Sequence, residues 1–347
     1  MRMATLKEIA NRAHVSVGTV DRVIHRRGRV SLETEQRVKR IISELDYKPN
    51  ILARSLSMTK TFRFGILVPF PEQDGHYWEL PLKGIEKAQS ELDVYKVKVK
   101  YFYYDKYSEQ SFEMACSKML QMVRELDGLL IAPVLSQATE KFLTKIPDRL
   151  PYIFLDSYIP NSRCFSYIGE DSFQSGVLSA KLMRILVTAH GTVAIIKVQP
   201  MDYHIEDRVR GFFSYFNNNT DINLLTYTVN ARESMPYYKI TKKIVTENSD
   251  LIGIYTPNAC AYQVADYLAE HFAGKKIFVI GYDLIKENIS HLKNGSIDFL
   301  ISQRSEMQGY ESIFKLYKQV VLKEKVESRV LMPLDIVTKE NLQFYEN

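Results

Sequence analysis

The chain has 347 residues, of which 46% are hydrophobic and 25% are charged, and this balance excludes a disordered or fibrous protein. Its length fits about two domains of roughly 150 residues each. Its three cysteines lie far apart and cannot form an even disulfide framework, so we expect a reducing, cytoplasmic setting. The sequence shows no apolar leader and no run of about 18 uncharged residues, so we expect no membrane partner.

The net charge of +5 is concentrated in the first sixty residues. Residues 1–60 carry 13 Lys and Arg against 6 Asp and Glu, a net of +7, and the other 287 residues sum to −2. A short basic segment on a nearly neutral body is typical of a nucleic-acid-binding module, because phosphate neutralisation supplies most nonspecific affinity. An ordinary solvated basic surface would carry the same charge. Charge alone therefore does not distinguish it from a nucleic-acid-binding module, and the pattern of predicted helices is needed.

That pattern predicts three short helices in the basic segment. Thr5 to Glu8 forms a capping box, and apolar residues then recur at helical spacing to Ala13. Ser16 can cap a second helix and Ser31 a third. Two helices joined by a tight turn form a helix-turn-helix, whose second helix enters the DNA major groove.

From residue 64 onward, apolar strands alternate with helices. Strands are predicted at 64–70, 97–104, 128–133, 152–156, 192–198, 224–229, 251–256 and 277–282, and helices at 82–92, 112–125, 137–145, 173–188, 206–217, 260–272 and 307–322. This alternation indicates parallel sheets covered on both faces, and its restart near residue 167 indicates two lobes. The last helix packs on a lobe or contributes to a dimer interface.

Several residues stand where a ligand in the cleft between two such lobes would meet them, at the ends of strands. Tyr77 and Trp78 lie in the loop after the first strand, Asp156 ends the fourth, and Asn258 and Asp283 follow later strands. Sugar sites combine an aromatic face with planar charged groups that bond two hydroxyls at once. We therefore expect these five in a sugar site, although Trp78 can also be a core aromatic.

The stretch TLKEIANRAHVSVGTVDRVIHRRGRVSLETEQRVKRIISELDYKPNILARSL resembles, without a gap, the headpiece of the lactose repressor (LacI/GalR-type) family. The turn position that this family usually fills with glycine is His14 here, so the resemblance implies that His14 tolerates a left-handed backbone conformation. The resemblance also implies a DNA-binding surface on Ser16, Val17, Gly18, Thr19, Arg22, His25 and Arg29. Of these, Arg22 is expected to hydrogen-bond a guanine base, with a phosphate-only contact as the alternative. Val17 and Gly18 are expected to contact thymine methyl groups or to recognise the shape of the DNA. A hinge helix at 49–57, capped by Asn50, would insert Leu56 into the minor groove, unless Leu56 packs on the body instead.

The rest of the chain is similar to the periplasmic sugar-binding fold that this family carries as its effector domain. The supporting motifs are R-x-x-G-F at 208–212 and V-I-G-Y-D at 279–283. The resemblance implies that Arg208 binds ligand hydroxyls, with Arg210 as the surface alternative, and that Gln303 contacts the ligand from the hinge side. After the third strand the family's aspartate is missing and only Ser136 remains. The ligand is therefore expected to be a sugar, while a phosphorylated sugar, a polyol and a purine stay open.

We predict an all-α helix-turn-helix headpiece and an α/β two-lobed, periplasmic-binding-protein-like domain with parallel doubly wound sheets. The expected limits are 1–60 for the headpiece, 61–347 for the effector domain, about 62–166 and 298–322 for its N-lobe, and about 167–297 and 323–347 for its C-lobe. Because no leucine heptads follow residue 330, we expect a homodimer.

The predicted function is that of a sequence-specific transcriptional regulator, and more specifically a repressor. A small ligand, a sugar or sugar derivative, would control its affinity for double-stranded operator DNA in the cytoplasm, at the nucleoid. The alternatives are a sugar-processing enzyme and a ligand-independent DNA-binding protein on the same fold. No nucleotide-binding, metalloprotease or nucleophile-elbow motif occurs, so no catalytic residue, metal ligand or cofactor is predicted. Scattered histidines, His204 among them, are expected at the surface or in the core.

Overall fold

The computed structural model describes residues 6–24, 28, 30–45, 60–188, 190–199, 202–217, 221–272 and 276–346. The chain divides into two compact units, Met1–Thr59 and Lys60–Asn347. The break between them falls next to the limit expected at residue 60. Within the described residues, no helix is both long enough and apolar enough to cross a membrane.

The described part of the first unit contains three helices: α1 (Leu6–Ala13), α2 (Val17–Ile24) and α3 (Leu32–Glu44). Their buried residues form one small core of Ile9, Ala10, Ala13, Val20, Val23, Val38 and Ile41. His14 lies in the turn between α1 and α2 with φ 52°, the left-handed conformation that the sequence predicted. Ser31 caps α3 by accepting from the amide of Thr34. Thr5 and the predicted hinge helix at 49–57 lie outside the described residues.

The larger unit contains two lobes, each built on a six-stranded sheet. The N-lobe strands are β1 (Phe62–Pro69), β2 (Val97–Tyr104), β3 (Gly128–Ile131), β4 (Tyr152–Leu155), β5 (Ser166–Gly169) and β11 (Arg329–Leu331). They lie in the order β11-β5-β4-β3-β1-β2, and all neighbouring strands are parallel. The helices of this lobe are α4 (Gln73–His76), α5 (Glu79–Leu92), α6 (Glu109–Gln121), α7 (Ser136–Leu143) and α13 (Ser305–Tyr317).

The C-lobe repeats this architecture. Its strands are β6 (Gly191–Gln199), β7 (Ile222–Asn230), β8 (Leu251–Tyr255), β9 (Phe278–Tyr282), β10 (Phe299–Ser302) and β12 (Asp335–Val337). They lie in the order β12-β10-β9-β8-β6-β7, and only the pair of β10 and β12 is antiparallel. Its helices are α8 (Ser172–Leu186), α9 (Tyr203–Phe216), α10 (Pro236–Glu247), α11 (Ala261–His271) and α12 (Lys286–Asn294). The predicted fold class is confirmed.

One helix pair in each lobe packs with its backbones in direct contact. A Cβ at Gly84 of α5 would lie 1.8 Å from the carbonyl oxygen of Glu306 in α13, and a Cβ at Gly176 of α8 would lie 1.9 Å from that of Arg208 in α9. Only glycine permits so close an approach. The glycine in α8 therefore helps to fix the helix that carries Arg208. Helix α13 packs on the N-lobe, with Ile313 and Leu316 fully buried.

The expected limits of the lobes are wrong in detail, because the chain crosses between the sheets at other places. Strand β5 (Ser166–Gly169) pairs with β4 and belongs to the N-lobe, not to the C-lobe expected from residue 167. Strand β10 (Phe299–Ser302) pairs with β9 and belongs to the C-lobe, and β11 (Arg329–Leu331) returns to the N-lobe sheet. The chain thus crosses between the lobes at 170–171, at 303–304 and at 332–334.

Candidate ligand site and DNA-binding surface

A cavity lies between the two lobes, at the carboxyl ends of the strands of both sheets. Seven of the eight predicted ligand residues line it: Tyr77, Trp78, Asp156, Arg208, Asn258, Asp283 and Gln303. Five further polar residues line it that the sequence prediction did not include: Asp74, Lys106, Tyr107, Asp202 and His204. The cavity therefore collects aromatic rings, carboxylates and cationic groups from both lobes.

Two aspartates occupy equivalent positions in the two lobes. Asp156 follows β4 and Asp283 follows β9, with left-handed backbone φ values of 69° and 66°. The amide of Asp156 donates to the carbonyl of Ile168, and the amide of Asp283 donates to that of Ile301, each on the adjacent strand. An aspartate tolerates this conformation better than a β-branched residue does. The adjacent strands thus hold both carboxylates at the cavity.

Neutral donors link these two carboxylates. The Tyr77 hydroxyl donates to Asp156 Oδ1 at 2.5 Å, and Gln303 Nε2 donates to the Tyr77 oxygen at 3.1 Å and to Asp283 Oδ1 at 3.2 Å. Gln308 Nε2 in turn donates to Gln303 Oε1 at 3.2 Å and so orients the amide. Because Gln303 lies in the crossing at 303–304, this network joins the cavity to a connection between the lobes.

The carboxyl of Asp283 is poorly compensated in this closed arrangement. Burial, the largest effect, raises the pKa of this carboxyl, the charge of Arg208 lowers it, and the charge of Asp156 raises it. Together these effects bring the pKa to about 7. Burial favours the neutral form of a carboxyl, and here the nearby cation only partly offsets that effect. Asp283 therefore titrates near neutral pH.

Arg208 contributes the one guanidinium that lines the described cavity. Its Nε donates to Glu170 Oε1 at 2.5 Å, its Nη1 donates to the carbonyl of Pro257 at 2.8 Å, and its guanidinium carbon lies 3.9 Å from the ring centre of Tyr282. Its Nη2 is buried and has no hydrogen-bond partner. The side chain is thus held in place with one donor group left for another acceptor.

Asp74 is the centre of a second network, on the N-lobe side. It accepts from Trp78 Nε1 at 3.2 Å, from Lys106 Nζ at 2.5 Å and from the hydroxyl of Tyr107. Burial alone would lower the pKa of Lys106, but the Asp74 carboxylate raises it above its ordinary value, so this lysine stays protonated. Trp78 is buried against this network rather than exposed in a loop.

Asp202 and His204 face the cavity from the start of α9. His204 Nδ1 lies 2.9 Å from Asp202 Oδ1, and His204 Nε2 lies 3.9 Å from Asp156 Oδ2. Burial alone would lower the pKa of His204, but the two carboxylates raise it above its ordinary value. His204 is buried, in agreement with the core alternative of the expectation, and it also lines the cavity, which the sequence did not predict.

Ser136 does not line the cavity, so its prediction as a ligand residue is wrong on position. It begins α7, and its hydroxyl is buried without a hydrogen-bond partner. Val134, two residues earlier, lines the cavity instead. Asn258 does line it, but its side chain is already engaged: its Nδ2 donates to the Tyr237 hydroxyl and its Oδ1 accepts from the amide of Cys260. Asn258 is thus held firmly at the cavity wall.

The lobes are closed on each other in this structure. Ser157 donates to Asp202, the hydroxyl of Tyr158 donates to Asp207 Oδ2 at 2.8 Å, and Arg232 Nε donates to the carbonyl of Tyr107 at 2.6 Å. These bonds join N-lobe loops to the C-lobe. The space enclosed is about 30 Å³, which is the volume of one water molecule. A ligand of sugar size can enter only if the lobes separate or the lining moves.

The other candidate surface is the amino-terminal end of α2 in the first unit. Ser16, Val17, Gly18 and Arg22 are exposed there, and Thr19 is half-buried. The Ser16 hydroxyl accepts from the amide of Thr19 at 3.1 Å and so caps the helix. Val17 is 43% exposed. The other predicted DNA contacts, His25, Arg29, Asn50 and Leu56, lie outside the described residues.

These features define a class of protein: a helix-turn-helix unit joined in one chain to a two-lobed binding domain whose cavity lies at the ends of parallel strands. Two family models match the chain. The periplasmic binding protein domain matches residues 64–325, and the lacI family of bacterial regulatory proteins matches residues 5–50. The chain therefore belongs to the periplasmic binding protein domain family over most of its length and carries a lacI-family helix-turn-helix domain at residues 5–50, which confirms the resemblance.

Individual relatives match over nearly the whole length. The transcriptional repressor PurR of Pasteurella multocida is 23% identical, over 94% of this chain and all of its own. The ribose operon repressor of Lactococcus lactis is 24% identical, over 98% of each chain. A solved structure assigned as a LacI transcriptional regulator from Bacteroides fragilis has a TM-score of 0.77 and 27% identity, over 83% of this chain and all of its own. The chain is thus a ligand-responsive, DNA-binding regulator of transcription.

Proposed function

We propose that the protein is a repressor whose affinity for operator DNA is controlled by a sugar or sugar derivative bound between its lobes. The observation that carries this proposal is the convergence of Trp78, Arg208 and the Asp156 and Asp283 carboxylates on one cavity. A guanidinium or a carboxylate can bond two hydroxyls at once, and an aromatic face packs against the apolar side of a sugar ring. The name of the Lactococcus relative, a ribose operon repressor, also favours a sugar.

The switch that we propose is a shift between lobe arrangements. The closed cavity of about 30 Å³ admits no sugar unless the lobes separate or the lining moves, and we propose that the ligand-bound and the ligand-free protein differ in how far the lobes are separated. A ligand that binds more tightly to one lobe arrangement increases the population of that arrangement. Coupling of this kind is typically about 1 to 3 kcal/mol, which corresponds to a change in operator affinity of about 5- to 150-fold.

On the DNA side, we propose that Arg22 reads a guanine and that Val17 and Gly18 contact base edges without hydrogen bonds. Ser16 and Thr19 would contact phosphates or flanking bases. The exposure of Val17 on α2 supports this assignment, because an apolar side chain there can meet a thymine methyl.

We also propose that the protein acts as a homodimer. Strand β2 lies at the edge of the N-lobe sheet and carries Tyr101 and Tyr103, whose rings stack 5.4 Å apart, and Phe70 stacks on Tyr103 at 6.2 Å. Phe70 is 37% exposed. Because a two-fold axis brings the same patch of both copies together, this aromatic row can pack against itself in a second copy of the chain.

Two further parts of the proposal concern activity and place. We infer that the protein acts in the cytoplasm, where operator DNA is found, and that it catalyses no reaction on its ligand. The lacI-family helix-turn-helix domain supports both statements.

Trp78 makes the central proposal directly testable, because it is the only tryptophan in the chain and it lines the cavity. Full-length protein is titrated with sugars, sugar phosphates, polyols and purines while its tryptophan emission is recorded, and binding is confirmed by calorimetry. A ligand found in this way is then added to complexes with operator DNA selected from a random pool. We expect a sugar to change both the emission and the affinity for DNA.

The control is Trp78→Phe, which removes the tryptophan and should abolish the optical signal, while calorimetry measures how far ligand binding is weakened. A calorimetrically confirmed ligand that leaves the emission of the natural protein unchanged would place the ligand site elsewhere. A bound ligand without effect on DNA affinity would contradict the regulatory coupling.

A further inference from the structure

The charges around the cavity form three ion pairs and leave two carboxylates over. The pairs are Asp74 with Lys106 at 2.5 Å, Glu170 with Arg208 at 2.5 Å, and Asp202 with His204 at 2.9 Å. Lys106 and Arg208 each have their own carboxylate, whereas His204 is shared: its Nδ1 faces Asp202, and its Nε2 lies 3.9 Å from Asp156 Oδ2. Asp156 and Asp283 remain, and both are almost fully buried, with 2% and 3% of their surface exposed.

The partners of these two carboxylates are neutral. Asp156 accepts from the hydroxyl of Tyr77, and Asp283 accepts from Gln303 Nε2 at 3.2 Å and from Ser305 Oγ at 3.4 Å. Among the described residues, no Lys or Arg nitrogen lies within 4.0 Å of either carboxylate, and the nearest histidine nitrogen, on His204, is 3.9 Å from Asp156. A buried carboxylate without a cation is costly, so a cation or a set of hydroxyl donors placed here would stabilise it.

Arg208 gives independent evidence that a polar ligand belongs in this cavity. Its side chain is 1% exposed, and its Nη2 has no hydrogen-bond partner although the residue lines the cavity. A buried guanidinium nitrogen is normally satisfied, so its missing partner is best supplied by a ligand oxygen. Glu170 already neutralises the charge of this arginine. The missing partner therefore needs to be an acceptor oxygen, such as a hydroxyl, but it need not be an anion.

We propose that the effector is a polyhydroxylated compound without negative charge, and that a protonated amine in place of one hydroxyl strengthens its binding at Asp156 and Asp283. The proposal rests on the proposed function and specifies the ligand class of that site. A phosphate ester would bring between one and two further negative charges to a cavity whose cations are all paired. An ammonium group would supply a positive charge beside the two carboxylates that remain outside these pairs. Of the ligand types that the sequence leaves open, phosphorylated sugars are thereby rejected.

The test is calorimetry on the full-length protein with matched sets of compounds at pH 7.5. The sets are glucose, glucosamine and glucose 6-phosphate; galactose, galactosamine and galactose 6-phosphate; mannose, mannosamine and mannose 6-phosphate; and ribose with ribose 5-phosphate. In any set with a binding member, we expect the phosphate ester to bind at least about 100-fold more weakly than the parent sugar, as expected for like charges about 5 Å apart at an effective dielectric constant near 20. The amino sugar should bind about tenfold more tightly than the parent.

Two variants test whether the carboxylates cause the preference for an amino sugar over its parent sugar. Asp156→Asn and Asp283→Asn keep the shape of the side chain and remove its charge, so each should reduce the ratio between amino sugar and parent sugar. Asp148→Asn, at a position that is 87% exposed on the N-lobe surface, is the matched control and should leave the ratio unchanged.

The outcomes separate the inference from the function on which it rests. A phosphate ester that binds as tightly as its parent, or an amine preference that survives in both cavity variants, overturns the inference and leaves a sugar-responsive regulator. No binding by any member of any set overturns the proposed sugar response itself, and the inference with it.

Discussion

Replacing Asp283 by asparagine is expected to stabilise the ligand-free protein at pH 8. Burial raises the pKa of this carboxyl from an ordinary value of 3.8 to about 7, so its ionised form is less stable in the folded protein than in the unfolded chain. A difference of about 3 pH units corresponds to about 4 kcal/mol. Asparagine has the same shape, carries no charge and can still accept from Gln303, so Asp283→Asn removes this cost.

The sign of the pH dependence follows from the raised pKa. Below pH 3.8 the carboxyl is protonated in the folded and the unfolded state, and its burial costs no ionisation energy. The cost grows between pH 3.8 and about 7, and above that range it is complete. The stabilisation by Asp283→Asn should therefore be largest at pH 8 and fall to roughly 1 kcal/mol near pH 4.5.

Thermal unfolding of the full-length protein, followed by the fluorescence of Trp78, measures this effect, because the only tryptophan lies in the larger unit. At roughly 2 °C per kcal/mol for a unit of this size, the variant should melt up to about 8 °C higher than the natural protein at pH 8. The exposed control Asp148→Asn should leave the melting temperature unchanged. A variant that melts at or below the natural protein at both pH values would refute the reasoning that Asp283 is an undercompensated buried carboxylate.

Three other substitutions test other parts of the molecule. Arg22→Ala should remove about 1 to 3 kcal/mol of discrimination among operator sequences and leave salt-dependent nonspecific binding in place; unchanged specificity in a competition assay would leave Arg22 only a phosphate contact. Glu170→Gln should lower the free energy of unfolding by about 3 to 5 kcal/mol in chemical denaturation, because it leaves Arg208 as a buried unpaired charge; a loss no larger than that of Asp148→Asn would contradict the pair. Tyr103→Lys should weaken self-association in analytical ultracentrifugation, whereas Ile185→Lys, at an exposed position on the C-lobe, should not; an unchanged dimer would reject the aromatic row as its interface.

The sequence was most informative where function depends on the end of a regular strand. Asp156 and Asp283 were identified because each directly follows an apolar run, and the carboxyl ends of parallel strands meet at one edge of a sheet. The same rule, applied to every strand, would have pointed to Lys106 after β2 and to Asp202 after β6. Ser136 was predicted on the family resemblance, and it does not line the cavity.

Pairing between distant segments could not be predicted. Strand β5 (Ser166–Gly169) has only four residues, too few to show a pattern, and it is defined by its pairing with β4. Helix α12 was not predicted, for a different reason. In α12 only Asn288 and Leu292 are buried, so its apolar stripe is too narrow for a helical period to appear. The lobe limits were displaced because they depend on these short elements.

The position of Gln303 connects ligand chemistry to lobe movement. It lies in the crossing at 303–304, and its side chain donates both to Tyr77 of the N-lobe and to Asp283 of the C-lobe. A ligand that bonds to the Asp156 and Asp283 carboxylates competes for the acceptors that these donors use. The ligand therefore changes hydrogen bonds at a connection between the lobes, and not only along the walls of the cavity. A ligand can shift the equilibrium between two lobe arrangements only if its contacts differ between them. We infer that Asp156 and Asp283, which select the charge of the ligand, also couple ligand binding to the angle between the lobes.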